Sequence, residues 1–326
     1  MNRLIFPLVL FFATILVAIP TVSAVTMDWS VVGNPGNAAD PYTGSKYGSV
    51  GYSYNIGTYD VTWNQYVEFL NSNVPGGATA DPLHLYDSLM SDSRTGGVIY
   101  TSAGANGSKF SVMPGRGNNP VTCVNWYDSL RFVNWLNNGQ VAGMTETGAY
   151  TLLGGTPVPS NGNSVTRNAG ATVFLPNLNE MYKAEYYNPA SSSYYFYPTS
   201  SNIPPTASAS SATPNTANYD NVVGNTTPVG SYTGTTSPYG AFDMAGNVWQ
   251  WVDGRGPVVG TSSRTLAGTS YSSDVRFSRS STPYQLGAAD ASTEVGFRVA
   301  SIPEPSTIAL AAIGMVALFV IGHRRN

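Results

Sequence analysis

The sequence predicts an α+β domain with much irregular structure, on three observations. Three amphipathic segments each open on a helix-capping signal: Thr62 with Gln65, Asn125 with Asp128, and Asn177 with Glu180. The strand-like stretches are short and broken by glycine, as in a turn-rich sheet. The composition, with 34 Gly, 22 Pro and 21 Tyr in 326 residues, describes a loop-rich chain whose 42% hydrophobic content still suffices for a core.

The chain opens on Arg3, an apolar stretch from Leu4 to Ile19, and the small-residue site Val22-Ser23-Ala24. This pattern is a secretory signal, cut after Ala24 and not part of the fold. In the Gly-, Asn- and Tyr-rich stretch that follows, Val50, Tyr52 and Tyr54 alternate as a short strand would. Thr62 caps the first helix, with Trp63, Tyr66, Val67 and Leu70 at helical spacing and Gly76-Gly77 as the stop. The strand-like Pro120-Val121-Thr122-Cys123-Val124 leads into the second helix. Asn125 caps it, Asp128 favours its dipole, Trp126, Leu130, Val133 and Leu136 form its buried stripe, and Asn137-Asn138-Gly139 ends it. The third helix begins after Leu175-Pro176 and runs to about Tyr187.

From Asn188 to Asn218 the chain is Ser, Thr, Pro, Ala and Tyr, either a domain linker or a long surface loop. The loop is preferred, because neither flank carries a complete pattern of its own. Short strand-like segments follow at Thr227–Tyr232, Asn247–Val252, Arg264–Leu266 and Gly296–Ala300. Trp249 and Trp251 alternate, so either one faces solvent or both pack in the core, the second being the simpler reading.

Composition excludes several functions. At 10% charged residues and a net charge of −3 the chain offers no basic footprint for nucleic acid. One cysteine, Cys123, forms no internal disulfide and builds no cysteine-rich metal site. The two histidines, His84 and His323, are too few for a multi-histidine zinc site or a two-histidine iron site. His84 lies in Asp81-Pro82-Leu83-His84, reads as a solvated loop residue, and has no nucleophile elbow beside it.

The C-terminus reads Ser301-Ile302-Pro303-Glu304-Pro305-Ser306, an uncharged run to Gly322, then His323-Arg324-Arg325-Asn326. From Ile308 the run makes about 22 Å of helix, short of a ~30 Å hydrocarbon core, so it spans only with snorkelling flanks or a thinned bilayer. A buried core helix is the alternative at this length, but the run is apolar all round, terminal, and followed by two arginines that hold it cytoplasm-side with the body outside. Order and position resemble the sorting tail of bacterial PEP-CTERM proteins, with Ile302 where valine is more usual. The resemblance implies processing by a membrane exosortase near Pro303-Glu304-Pro305, retention through Arg324 and Arg325, and a place at the cell surface or in an exopolysaccharide matrix. The expected organisation is 1–24 signal, 25–301 one domain, and 302–326 sorting tail with a short transmembrane helix.

The body resembles the formylglycine-generating enzymes, the sulfatase-modifying-factor family. The similarity runs through Tyr59-Asp60-Val61-Thr62-Trp63-Asn64-Gln65-Tyr66, Pro120 to Leu136, and Leu175-Pro176-Asn177-Leu178-Asn179-Glu180-Met181-Tyr182-Lys183-Ala184. It continues in Pro228-Val229-Gly230-Ser231, Tyr239 to Trp251 with its DMAGNVWQW, and Val295-Gly296-Phe297-Arg298-Val299-Ala300. These motifs keep the family order over roughly residues 50–300. The resemblance implies a single-domain variant of the C-type-lectin-like fold.

It also implies where catalysis would sit. In the enzymes two cysteines, five residues apart after a Gly-Gly-Ser-Trp/Tyr segment, bind copper and oxidise a substrate cysteine. Here Ala267-Gly268-Thr269-Ser270-Tyr271 stands for that segment, and the cysteine positions fall on Ser273 and Ser278. A serine hydroxyl is a poor copper(I) ligand and has no thiol redox chemistry, which argues against copper and against the sulfatase-activating reaction. Iron-dependent sulfoxide synthases of the family take their histidines from an extra domain that this chain lacks. The family's structural calcium implies oxygens of Gly246 and Val248 with Gln250 where the family has Glu, and Asn218 and Tyr219 at the start of a second loop. A metal-free structural turn is the simpler reading of these positions. The resulting expectation is a non-catalytic module binding a glycan or a protein. An enzyme of unrecorded chemistry in the same cleft and a purely structural matrix component remain the alternatives.

Overall fold

Each of the three helices begins where its capping residues predict. Thr62 Oγ1 accepts from Gln65 N while the Gln65 side-chain oxygen accepts from Thr62 N, and Asn125 with Asp128 and Asn177 with Glu180 make the same reciprocal pairs. Two backbone donors are satisfied at each helix start, a gain of about 1 kcal/mol per cap. The computed structural model describes residues 24–254, 262–280 and 284–303. The signal at 1–23, Glu304, Pro305, the apolar run and Arg324 and Arg325 lie outside them. No described helix is long and apolar enough to cross a membrane.

In chain order the elements are β1 (Trp29–Val32), β2 (Tyr54–Gly57), α1 (Trp63–Asn73), β3 (Val98–Tyr100), β4 (Phe110–Val112), α2 (Trp126–Asn137), β5 (Val173–Phe174) and α3 (Leu178–Tyr186). The two-residue strands β6 (Tyr187–Asn188), β7 (Ser193–Tyr194), β8 (Thr206–Ala207) and β9 (Thr216–Ala217) follow. The chain closes with β10 (Trp249–Trp251), β11 (Ser263–Gly268), β12 (Tyr284–Gly287), β13 (Val295–Phe297) and β14 (Ala300–Ser301). Two four-stranded sheets carry the architecture, ordered β1-β2-β14-β5 and β12-β11-β10-β13. In the second, β10 runs antiparallel to β11 and parallel to β13, with Trp249 opposite Val295 and Trp251 opposite Phe297.

One continuous core gathers buried residues from Val32 to Ala300. Its centre is aromatic: Phe132 meets Tyr66, Phe69, Trp135 and Phe297 at centroid separations of 5.3–6.0 Å. Helix α2 is buried from Trp126 through Trp135, while Leu136 is only partly covered. Trp249 and Trp251 are both buried, and Trp251 Nε1 donates to Val124 O at 3.0 Å.

Three sequence expectations need correction. The strand predicted around Val50 starts only at Tyr54, because Val50 O is taken by Gly36 N and Tyr52 lies outside the ladder, its hydroxyl donating inward to the buried Glu180. Pro120–Val124 forms no strand beyond a bridge from Pro120 to Thr62, since Cys123 sits at φ 59 and breaks the extension. Thr227–Tyr232 is a turn, with Gly230 at φ 72 and its N–H donating to Asp243 Oδ2 at 2.7 Å.

Candidate functional site

The segment after β11 carries the two serines that stand for the family's cysteines. Gly268, at φ 74, turns the chain out of the sheet, and backbone bonds then hold it from both sides. Tyr271 N donates to Asn247 O at 2.9 Å, while Asp220 N and Asn221 N donate to the carbonyls of Ser273 and Tyr271. Ser270 and Ser272 both donate to one oxygen of Glu294, at 2.7 and 2.6 Å. Ser273 Oγ lies 2.9 Å from Ser270 Oγ and accepts from Ser270 N, so it belongs to this hydroxyl–carboxylate network. Ser278 is fully buried beside Thr269, Oγ to Oγ1 3.0 Å. Each serine is thus tied to a neighbouring hydroxyl.

The network is suited to hydrogen bonding. A carboxylate is too weak a base to ionise a serine hydroxyl, and among the described residues no imidazole faces the segment, for His84 is exposed at φ 52 on its own loop. Cys123, remote in sequence, is near in space: its N–H donates to Ser292 O at 2.9 Å, two residues from Glu294. Burial pushes its thiol up to about 12, which leaves it protonated and unreactive. The Glu294 contribution had no signal in the sequence, since nothing local links it to serines more than twenty positions upstream.

The five calcium positions are only partly brought together. Asn218 bridges Gly246 so closely that a methyl group on Gly246 would lie 2.2 Å from Asn218 O. The carbonyl of Tyr219 accepts from Val222 N within its own turn, and the side-chain oxygen of Asn218 is buried without a partner. Val248 is buried, and the Gln250 amide is engaged at both ends, its oxygen accepting from Arg298 Nε at 2.9 Å and its nitrogen donating to Asp243 O at 3.2 Å. The set at 246, 248 and 250 does not fit a cation, because the residue needed to supply charge presents N–H groups instead. Among the described residues no group of three or more His, Cys, Asp or Glu side chains could hold a metal ion.

A roomy cleft lies elsewhere among the described residues. A cleft of about 560 Å³ opens between the N-terminal segment Ala24–Asp28 and the start of α1, lined by Tyr59, Asn64, Gln65, Glu68 and Asn118 among others. Two glutamines fix its outer wall. Gln140 pairs with both backbone groups of Val25, at 2.7 and 2.8 Å, and Gln65 Nε2 donates to Thr26 O at 2.9 Å. Of the sorting residues only Pro303 is described, just past β14.

The sequence profile of the sulfatase-modifying factor enzyme 1-like domain matches residues 36–302, and that of the PEP-CTERM protein-sorting motif matches residues 301–325. No curated protein matches the chain. Among solved structures it is similar to CarF, with 21% identity over 86% of this chain and 99% of that one and a TM-score of 0.55. It is likewise similar to Treponema denticola variable protein 1, with 20% identity, coverage of 87% and 98%, and a TM-score of 0.55. At these identities the likeness is one of fold.

Proposed function

Because the chain belongs to the sulfatase-modifying factor enzyme 1-like family and ends in a PEP-CTERM sorting motif, we propose that it is an exported surface protein whose body binds a neutral ligand and oxidises no thiol. The fold is that family's C-type-lectin-like variant, and the sorting motif implies export, exosortase processing and a cell-surface or envelope location. In this reading residues 1–24 are removed as a signal, 25–301 form the binding body, and 302–326 anchor it transiently before release towards the matrix.

One observation carries the reading: at both positions where two thiols would gather copper stand serines bonded to other hydroxyls. Neither supplies a thiolate, and the one cysteine nearby is buried and protonated. The 560 Å³ cleft supports binding, since its walls offer amides, a tyrosine and carboxylates with no lysine or arginine among them. That chemistry suits the hydroxyls of a glycan.

Two measurements test the reading. Purified protein given copper(I), oxygen and a sulfatase-type cysteine peptide is expected to form no formylglycine; turnover above a protein-free control would overturn the non-catalytic half. On a glycan array it should retain a neutral oligosaccharide, and Asn64→Ala together with Glu68→Ala should weaken that signal. Retention of no glycan, or retention indifferent to both substitutions, would remove the cleft as the binding site.

A further inference from the structure

At residues 246–250, where the family resemblance implies a structural cation, this chain places an amide. We propose that the side chain of Gln250 stands in for the cation, its amide tying the Arg298 guanidinium to the backbone carbonyl of Asp243, so that this part of the fold needs no metal.

The orientation of the amide is decided by its neighbour. Gln250 lies mid-strand in β10 with no exposed surface, and Arg298 Nε, fully buried as well, approaches it at 2.9 Å. A guanidinium only donates, so the amide oxygen must face it. The amide nitrogen therefore faces the other way, where it donates to Asp243 O at 3.2 Å. A buried backbone oxygen requires positive charge or an N–H donor, and at Asp243 O the amide of Gln250 supplies the donor.

Charge balance points the same way. Arg298 is held by Asp60 Oδ1 at 3.1 Å and by the carbonyls of Gly57 and Phe242 at 2.6 and 2.7 Å. Asp243, buried alongside, also feels the guanidinium, and its carboxylate accepts from Gly230 N. A glutamate at 250 would add a further carboxylate to Asp60, Asp243 and Glu185, which already feel one buried guanidinium, and a divalent ion would offset it. With an amide there, Gln250 joins Arg298 to Asp243 O without adding a further negative charge. In the same pose a glutamate would also turn its second oxygen against Asp243 O, acceptor against acceptor.

The test uses the purified full chain in a mild non-ionic detergent, followed by thermal and urea unfolding in excess EDTA and again in millimolar calcium. The wild-type protein is expected to unfold at the same midpoint in both. Gln250→Glu should unfold earlier in EDTA and recover part of the difference in calcium. Gln250→Met, which removes the donors without adding charge, should unfold earlier and gain nothing from calcium. A wild-type midpoint that falls in EDTA and returns with calcium would overturn the proposal. So would a Gln250→Glu protein indifferent to calcium. If Gln250→Glu yields no folded protein, the wild-type titration alone decides.

Discussion

Replacing Glu185 by glutamine should remove a distinct part of the protein's loss of stability towards neutral and alkaline pH. Glu185 lies on α3, 2% exposed, with Oε1 lacking any hydrogen-bond partner. It borders a cavity of about 20 Å³, room for a single water, together with Tyr182, Tyr186, Leu266 and Phe277. Burial pushes its carboxyl up to about 8 from an ordinary 4.5, with Arg298 acting weakly in the opposite sense. The folded protein therefore keeps a proton that the unfolded chain has already released. Its contribution to stability is fully present below the unfolded value of 4.5 and is lost as pH rises through about 8. Integrated from about pH 5 to about pH 8, those two values give a loss on the order of 3–4 kcal/mol. Glutamine has nothing to titrate, so Glu185→Gln should lack this part of the slope. Asp60 and Asp128, each pushed by burial up to about 7, contribute in the same direction and keep the variant's profile from being flat. The assay is urea unfolding followed by tryptophan fluorescence across that window for both proteins. Identical pH slopes would refute the reasoning.

Arg298→Met should cost about 3–5 kcal/mol, because it strands Asp60, the Gln250 oxygen and two backbone carbonyls in the interior; a urea midpoint near wild type would contradict this. Trp249→Ala should cost about 3–5 kcal/mol through the cavity left against Tyr284 and Phe277, and the same unfolding measurement checks it. If proteolysis within 190–217 released two independently stable halves, the reading of residues 25–301 as one domain would fail. In a host carrying an exosortase, replacing Arg324 and Arg325 with Glu should impair membrane retention. Replacing Pro303-Glu304-Pro305 with alanines should instead leave uncut, membrane-bound protein. Mass spectrometry of the mature C-terminus decides, and surface protein still ending at Asn326 would refute processing.

What could be read in the sequence was what is encoded locally. The capping pairs at Thr62, Asn125 and Asn177 each act over three residues, and all three helices start where those pairs place them. Strands were less visible, because β2 owes its register to β1 and β14, the latter nearly 250 positions away. Alternation at Val50, Tyr52 and Tyr54 misleads for that reason: Val50 O accepts from Gly36 N and the Tyr52 hydroxyl donates to Glu180, partners that no local pattern announces. The serine positions followed from motif order, yet their carboxylate partner Glu294 did not. Buried charge was equally silent. Arg298 and Glu185 are interior because of remote neighbours, whereas composition alone assigns such residues to the surface.

The pairing of β14 has a mechanical consequence. It is an inner strand, antiparallel both to β2 and to β5, and Ile302 N adds a further bond to Thr172 O at 3.0 Å. Just upstream, Phe297, Arg298 and Val299 are wholly buried. Tension applied through Pro303 along the strand would load both ladders in shear, so that their bonds must fail together, and behind them the four bonds of Arg298. At the sheet's edge β1 has one neighbour and would peel bond by bond. A tether at the C-terminus would thus pull on an inner strand backed by a buried stretch, and not on an edge that peels.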